Sequence, residues 1–277
     1  MEPRKDKSKV WFITGASRGF GREFAKAALD HGDRVAATAR DTAALDDLVS
    51  EYGPAVLPIR LDVTDRAAAF EAVDKAVTTF GRLDVVVNNA GYGLFGAVEE
   101  LDPDQLRAQF ETNVIGTLHV TQAALPVMRA QGSGHLIPIS STGGIGAFPT
   151  LGGYNASKWA LEALSDALSQ EVAGTGITVT IVEPSGFATD WSGPSAVWSE
   201  PLPQYDAARE QMDEYHRTVT PGDPSAAGRA LVEIVEAEHP PLRVLLGAGM
   251  VEFVRGLYES RLATWKEWEA VTEKAAG

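Results

Sequence analysis

Short apolar runs alternate with longer amphipathic stretches over the first 185 residues, and this alternation limits the fold more than any other feature of the chain. The runs at 10–14 (VWFIT), 34–39, 56–62, 85–88, 135–140 and 178–183 read as strands. Between them, 20–29, 67–80, 103–128 and 156–172 have helical period. In 67–80, Phe70, Val73, Val77 and Phe80 recur at three- and four-residue steps and mark one apolar face. Runs such as VVV at 85–87 are apolar on both faces, which suits a parallel sheet covered by helices on both sides. The pattern predicts an α/β chain with a doubly wound parallel sheet, and its 277 residues fit one domain.

After Pro184 the pattern changes. Residues 185–224 hold five prolines (Pro194, Pro201, Pro203, Pro221 and Pro224) interleaved with Trp191, Trp198 and Tyr205. A long segment of this kind reads as an ordered, substrate-covering lid, because flexible linkers are poor in large apolar groups. A helix at 225–237, a strand at 243–246 and a helix at 250–270 make 225–277 a C-terminal extension, and 1–9 reads as a flexible N-terminal tail. Twenty-four Lys and Arg against 38 Asp and Glu give a net charge of −14, which disfavours nucleic acid as a partner. The chain has no cysteine, which removes disulfides, thiolate metal sites and cysteine nucleophiles together. Its five histidines are scattered without ligand spacing, so no metal is expected. No stretch reads as a membrane span or signal peptide, and the expected location is cytoplasmic.

Thr14-Gly-Ala-Ser-Arg-Gly-Phe-Gly21 follows a strand and opens a helix. Gly15, Gly19 and Gly21 allow a sharp turn and close approach to a pyrophosphate, with Ser17, Arg18 and Phe20 on the same loop. At the end of the second strand a carboxylate would hold both ribose hydroxyls of NAD(H). This chain has Ala39 there, followed by Arg40, and Arg40 with Arg18 can meet a 2′-phosphate. NADP(H) is therefore expected over NAD(H). Tyr154 and Lys158 lie four residues apart (158 − 154), one helical turn, and a fixed cation beside a phenol favours proton exchange near neutrality. Ser141, 13 residues before the tyrosine (154 − 141), ends the fifth strand and can polarise a substrate carbonyl.

Together with Asn88-Asn89-Ala90-Gly91 and Asn113, these motifs resemble the short-chain dehydrogenase/reductase family in order and spacing across residues 10–189. The Pro-rich tail resembles that of its 17β-hydroxysteroid and retinol dehydrogenase subgroup. The resemblance implies a Rossmann-type domain and an NADP(H)-dependent ketone reductase or alcohol dehydrogenase. It makes Tyr154 the acid/base and Lys158 the holder of the ribose hydroxyls. Ser141 would orient the carbonyl, with Ser140 as its neighbouring hydroxyl, and Asn113 would anchor a proton-relaying water. It also implies that Asp62 and Val63 contact the adenine, Asn89, Ala90 and Gly91 line the cleft, and Pro184 and Thr189 flank the nicotinamide. The helices at 103–128 and 156–172 resemble the pair through which the family forms dimers and tetramers.

One departure stands out: Pro184-Ser185-Gly186 replaces the family's Pro-Gly, and Ser185 is expected to point near the nicotinamide. Phe148, Trp191, Trp198, Tyr205 and Met212 either wall a pocket for a bulky apolar substrate or pack the lid onto the core. Glu99-Glu100 and Asp46-Asp47 read as solvated charge. The alternative reading is a non-catalytic NADP(H)-binding sensor on the same fold, which would not need Asn113, Ser141, Tyr154 and Lys158 together. A methyltransferase would leave Arg40 without a phosphate to oppose.

Overall fold

The computed structural model describes residues 8–193 and 195–276. Residues 1–7 of the expected tail, Pro194 of the expected lid and the side chains of Tyr215 and His216 lie outside the described residues. The strands are β1 (Val10–Ile13), β2 (Arg34–Ala39), β3 (Val56–Arg60), β4 (Val85–Asn88), β5 (Leu94–Phe95), β6 (Gly134–Pro138), β7 (Ile177–Val179), β8 (Ile181–Pro184), β9 (Val197–Trp198) and β10 (Arg243–Leu246). The helices are α1 (Gly19–Asp30), α2 (Asp46–Tyr52), α3 (Arg66–Phe80), α4 (Pro103–Phe110), α5 (Thr117–Gln131), α6 (Gly152–Glu171), α7 (Asp206–Thr218), α8 (Pro224–Glu236), α9 (Met250–Glu267) and α10 (Glu269–Lys274).

Six parallel strands pair in the order β3-β2-β1-β4-β6-β7. Beyond them β8 pairs with β10, tied to the main sheet by the Ile139–Val182 bridge. The order reverses between β1 and β4, so the crevice at their C-terminal ends is the switch point at which open α/β sheets bind ligands. The unbroken apolar strands follow from burial on both faces. Trp11 and Ile13 enter one core with Phe24, Leu45, Leu48 and Leu231, while Phe12 enters the other with Val73, Val120 and Met128. Trp11, Phe12 and Ile13 are fully buried, each contributing about 1.5–3 kcal/mol.

The doubly wound sheet is as the sequence predicts, with local differences. The single strand expected at 178–183 divides at Thr180, whose hydroxyl donates to the carbonyl of Pro241 at 2.7 Å instead of leaving the chain a uniform ladder. On α3 the deepest face is Ala69, Ala72, Val73 and Ala76, because small side chains let the helix approach the sheet. Phe70 and Phe80 sit at its rim under the guanidinium groups of Arg66 and Arg34. The helix expected at 103–128 is interrupted by a π-helical turn, Glu111–Gly116. Two helices without a strong apolar stripe, α2 and α7, have no counterpart in the sequence reading.

Candidate active site

The turn after β1 is a cradle. Gly15 has φ +66°, a conformation that L side chains rarely adopt. At Gly21 a Cβ would stand 2.3 Å from the Gly15 carbonyl oxygen and 2.5 Å from Asn89 Nδ2. Asn89 braces the turn by donating through Nδ2 to the carbonyls of Thr14 (2.9 Å) and Gly15 (3.2 Å). The Thr14 hydroxyl in turn accepts the amides of Asn89 and Ala90, both at 2.9 Å. Helix α1 opens with no side-chain cap and no acidic residue in its first turn, so its N-terminal amides and dipole suit a bound anion. Ser17 is half-buried on this loop, and the Phe20 ring meets Phe187 edge-on at 5.0 Å instead of facing the cradle.

Arg18 and Arg40 are exposed at the mouth of this cradle. Burial works to raise the carboxyl of Asp62, but hydrogen bonds from Thr64 and the charge of Arg40 outweigh it and hold the group below its usual range. Asp62 and Arg40 are thus near neighbours. Val63 turns its side chain into the core, where a Cβ on Gly116 would come within 2.5 Å of it, leaving only its backbone for the cleft.

Tyr154, Lys158 and Ser141 come together as their spacing predicts. The first two are buried on one face of α6, and Lys158 Nζ donates to the Ile139 carbonyl at 2.8 Å. Ser141 lies just beyond β6; its hydroxyl accepts the amide of Gly143 at 3.0 Å and donates to the carbonyl of Pro184 at 3.4 Å. A Cβ on Gly143 would contact both the Tyr154 ring and Ser141 Oγ, so a glycine is what lets the two hydroxyls converge. Burial pushes the Tyr154 phenol up to about 12, against a lowering hydrogen bond from Ser141. Lys158 is brought down to about 8, again by burial, with Glu162 opposing. The sequence reading has Lys158 lowering the phenol. In the structure Nζ stands 5.8 Å from the ring centre, and desolvation dominates. Burial thus favours the protonated phenol.

Asn113 sits in the π-helical turn, and such bulges are frequent at functional sites. Its amide clamps the loop after β4: Oδ1 accepts from Tyr92 N at 3.1 Å, while Nδ2 donates to Tyr92 O and to Ser157 Oγ. Gly91 lies between Asn113 and Lys158, since a Cβ there would be 2.9 Å from Asn113 Oδ1 and 3.8 Å from Lys158 Nζ. The Asn113 side chain thus ties the loop after β4 to α6.

Two tryptophans from beyond β8 pack beside this centre. Trp191 stands 4.8 Å from the Tyr154 ring and 5.0 Å from Phe95, while Trp198 stacks on Phe95 at 4.2 Å with its outer face exposed. Phe148 packs against the same cluster. Tyr205 instead points to Glu99, donating its hydroxyl at 2.6 Å. Thr189 lies against Gly19, 3.8 Å from where its Cβ would be, on the opposite lip of the cradle. The Ser185 hydroxyl packs at Gly247, where a Cβ would come within 2.1 Å of it. Glu100 is not a solvated charge. Its buried carboxylate accepts from the amides of Ala97 and Leu202 and from Arg209, and so ties the 202–209 segment to the turn before α4. Sequence reading missed it because Leu202 and Arg209 lie over a hundred residues away. Among the described residues no group of three or more His, Asp or Glu side chains is placed to hold a metal ion, and no helix is long and apolar enough to cross a membrane.

The cradle, the crevice at the switch point and the Ser–Tyr–Lys constellation define a dinucleotide-dependent oxidoreductase of Rossmann type. The chain belongs to the short chain dehydrogenase family, which it matches over residues 9–199. It is 40% identical to the oxidoreductase BOA17 of Botryotinia fuckeliana over 273 residues, covering 97% of this chain and all of that one. A short-chain dehydrogenase from Streptomyces avermitilis superposes with a TM-score of 0.92 at 42% identity, over 98% of this chain and 99% of that chain. A Burkholderia phymatum short-chain dehydrogenase/reductase in complex with NAD gives 0.81 at 26% identity, over 93% and 95%.

Proposed function

We propose that this chain is an NADP(H)-dependent carbonyl reductase or secondary-alcohol dehydrogenase. The observation that carries the reading is the convergence of the Ser141 and Tyr154 hydroxyls beside Lys158, in the crevice that the Gly15–Gly21 cradle opens onto. The residues fit a dinucleotide: the tight turn at Gly15 and Gly21 holds the loop close against the start of α1, and the α1 amides are uncapped. When bound, the nicotinamide supplies or accepts the hydride. Ser141 orients the substrate oxygen by hydrogen bonding, and Tyr154, kept protonated by burial, donates to that oxygen as charge develops on it. Lys158 holds the ribose hydroxyls and lends positive charge to the phenol. Asn113 keeps the loop of Gly91 in place. Arg40, with Arg18 behind it, meets the 2′-phosphate, since no carboxylate ends β2 to hold free ribose hydroxyls.

Trp191, Phe95 and Phe148 form an aromatic wall beside Tyr154, which suits a bulky apolar ketone or alcohol. Residues 185–224 act as the lid over it. A cytoplasmic homodimer or homotetramer is the expected working form, assembled through the helices of the 103–128 and 156–172 stretches. The test is NADPH consumption by the purified protein against aliphatic, aromatic and polycyclic ketones and aldehydes, with Tyr154→Phe as the blank. Turnover lost in the variant, with NADPH still bound, supports the assignment; equal turnover in both removes Tyr154 as donor. Silence across the panel with tight NADPH binding supports the sensor reading.

A further inference from the structure

Beyond Lys158 along α6 lies a partly buried group of charges that the proposed reaction does not use. Glu162 stands one turn beyond Lys158 (162 − 158 = 4), as Lys158 stands one turn beyond Tyr154, so the three share one stripe of the helix. Glu183, on β8 beside Pro184, is 2% exposed, and Glu162 7%. Arg243 on β10 reaches both: its Nε is 3.2 Å from Glu162 Oε2 and 3.6 Å from Glu183 Oε1, while Nη2 holds Asp166 at 2.6 Å. An open pocket of about 420 Å³, lined by Glu162, Asp166, Arg243, Trp159 and Tyr258, reaches this cluster.

Three buried oxygens here have no hydrogen-bond partner as the ionised groups stand: Glu162 Oε1, Glu183 Oε1 and Ser140 Oγ. Ser140 Oγ and Glu162 Oε1 both crowd the space above Gly144, at 2.6 and 3.3 Å from where its Cβ would be. Two carboxylates cannot bond each other, since both only accept. One added proton converts the facing glutamates into a donor and an acceptor, and the Ser140 hydroxyl then donates to the remaining oxygen of Glu162. The charge count agrees with this. Buried like charges are costly, and a cluster holding Glu162, Glu183 and the shared, half-exposed Arg243 sheds one negative charge by taking up a proton.

We propose that Glu162 and Glu183 are positioning residues, a carboxyl pair sharing one proton that presents a single negative charge to Lys158 from behind and keeps its amine an ammonium while Tyr154 works. Burial first, and then the neighbouring Glu162, raise Glu183 to about 8, with Arg243 opposing, so the pair keeps its proton through neutral pH. Burial likewise raises Glu162, against Ser140, Arg243 and Lys158. For Lys158 the pull of Glu162 is the one contribution that opposes burial. The groups facing the pair are therefore Lys158 and Asp166 from α6, Arg243 from β10 and the Ser140 hydroxyl after β6.

The inference rests on Lys158 acting as in the proposed function, but its test needs no turnover. The full-length protein, with ¹³C-labelled Glu and Lys side chains, is titrated by NMR as wild type, E183Q and E162Q, and K158M assigns the lysine signal. One glutamate signal, absent in E183Q, is expected to titrate several pH units above the ordinary carboxyl range. E162Q is expected to lower the Lys158 midpoint by about one unit, a tenfold loss of proton affinity. Between pH 4.5 and 8 the native state keeps a proton that the unfolded chain has released, so this group's share of stability falls as pH rises. E183Q should flatten the corresponding decline in melting temperature. A Glu183 signal titrating between pH 4 and 5 overturns the shared proton, and a Lys158 midpoint unmoved in E162Q overturns the positioning role. If E162Q does not fold, the wild-type Glu183 titration still decides the first point, and S140A, which removes the hydroxyl facing Glu162, decides the second by whether the Lys158 midpoint moves. Absence of turnover in every form, with these titrations as expected, would overturn the proposed function alone.

Discussion

Gly21→Ala puts a methyl group where the structure has no room. Its Cβ would lie 2.3 Å from the Gly15 carbonyl oxygen, and Cβ atoms do not come closer than about 3.0 Å, so the backbone must yield by at least 0.7 Å (3.0 − 2.3). Neither neighbour can rotate away: one is the backbone of the cradle itself and the other is Asn89 Nδ2, already donating to two carbonyls. Overpacking of this kind costs about 1–3 kcal/mol. At roughly 2–4 °C per kcal/mol the melting temperature should fall by about 2–12 °C. The larger effect should be functional. A displacement approaching 1 Å in groups that position a reactant costs about 10²-fold in rate, so kcat/KM with NADPH should drop by about that factor. Gly256→Ala is the control: a Cβ there meets nothing within 4 Å, and the residue lies inside α9 without a left-handed φ. It should stabilise the chain by about 0.5–1 kcal/mol and leave NADPH binding unchanged. Calorimetry and NADPH fluorescence titration on both variants read the comparison. A folded Gly21→Ala protein that binds NADPH within twofold of wild type would refute the cradle as the pyrophosphate site.

Two further outcomes are expected. Arg40→Asp should weaken NADPH binding by at least tenfold while changing NADH binding little, because a carboxylate repels the 2′-phosphate but accepts from free ribose hydroxyls; equal losses in the two titrations would sink the assignment. His135, drawn down to about 4 by burial first and by the charge of Lys9 second, donates through Nε2 to Thr180, whose own proton goes to Pro241. The unfolded chain takes up a proton at this residue below about 6.5 and the native state only near 4, so stability is lost as pH falls across that window. The shift of 2.5 (6.5 − 4) corresponds to about 3 kcal/mol. Urea midpoints at pH 7 and pH 4 should show that loss in wild type and a much smaller one in His135→Gln.

Much of this protein is written in patterns with local causes. Apolar runs of four to six residues flanked by amphipathic helices allow little besides a two-faced parallel sheet, so β1 to β4 and β6 fall where their residues indicate. The Tyr154–Lys158 pair and the glycine turn were legible because helix periodicity and backbone sterics act over a few residues. Partners distant in the chain were not. Glu100 reads as one more surface acid until Leu202 and Arg209 fold onto it, and the packing of Ser185 against Gly247 is set only when the strand before Gly247 arrives. The π-helical turn at Asn113 leaves no mark on a hydrophobic pattern, because it inserts a residue without changing composition. The direction of the Tyr154 shift depends on how deeply Trp191 and the lid bury the phenol, and desolvation is a property of the assembled site. Sequence determined the sheet, the cradle and which side chains the site brings together. Tertiary structure alone decided their electrostatics, since burial and charge proximity arise only when distant segments meet.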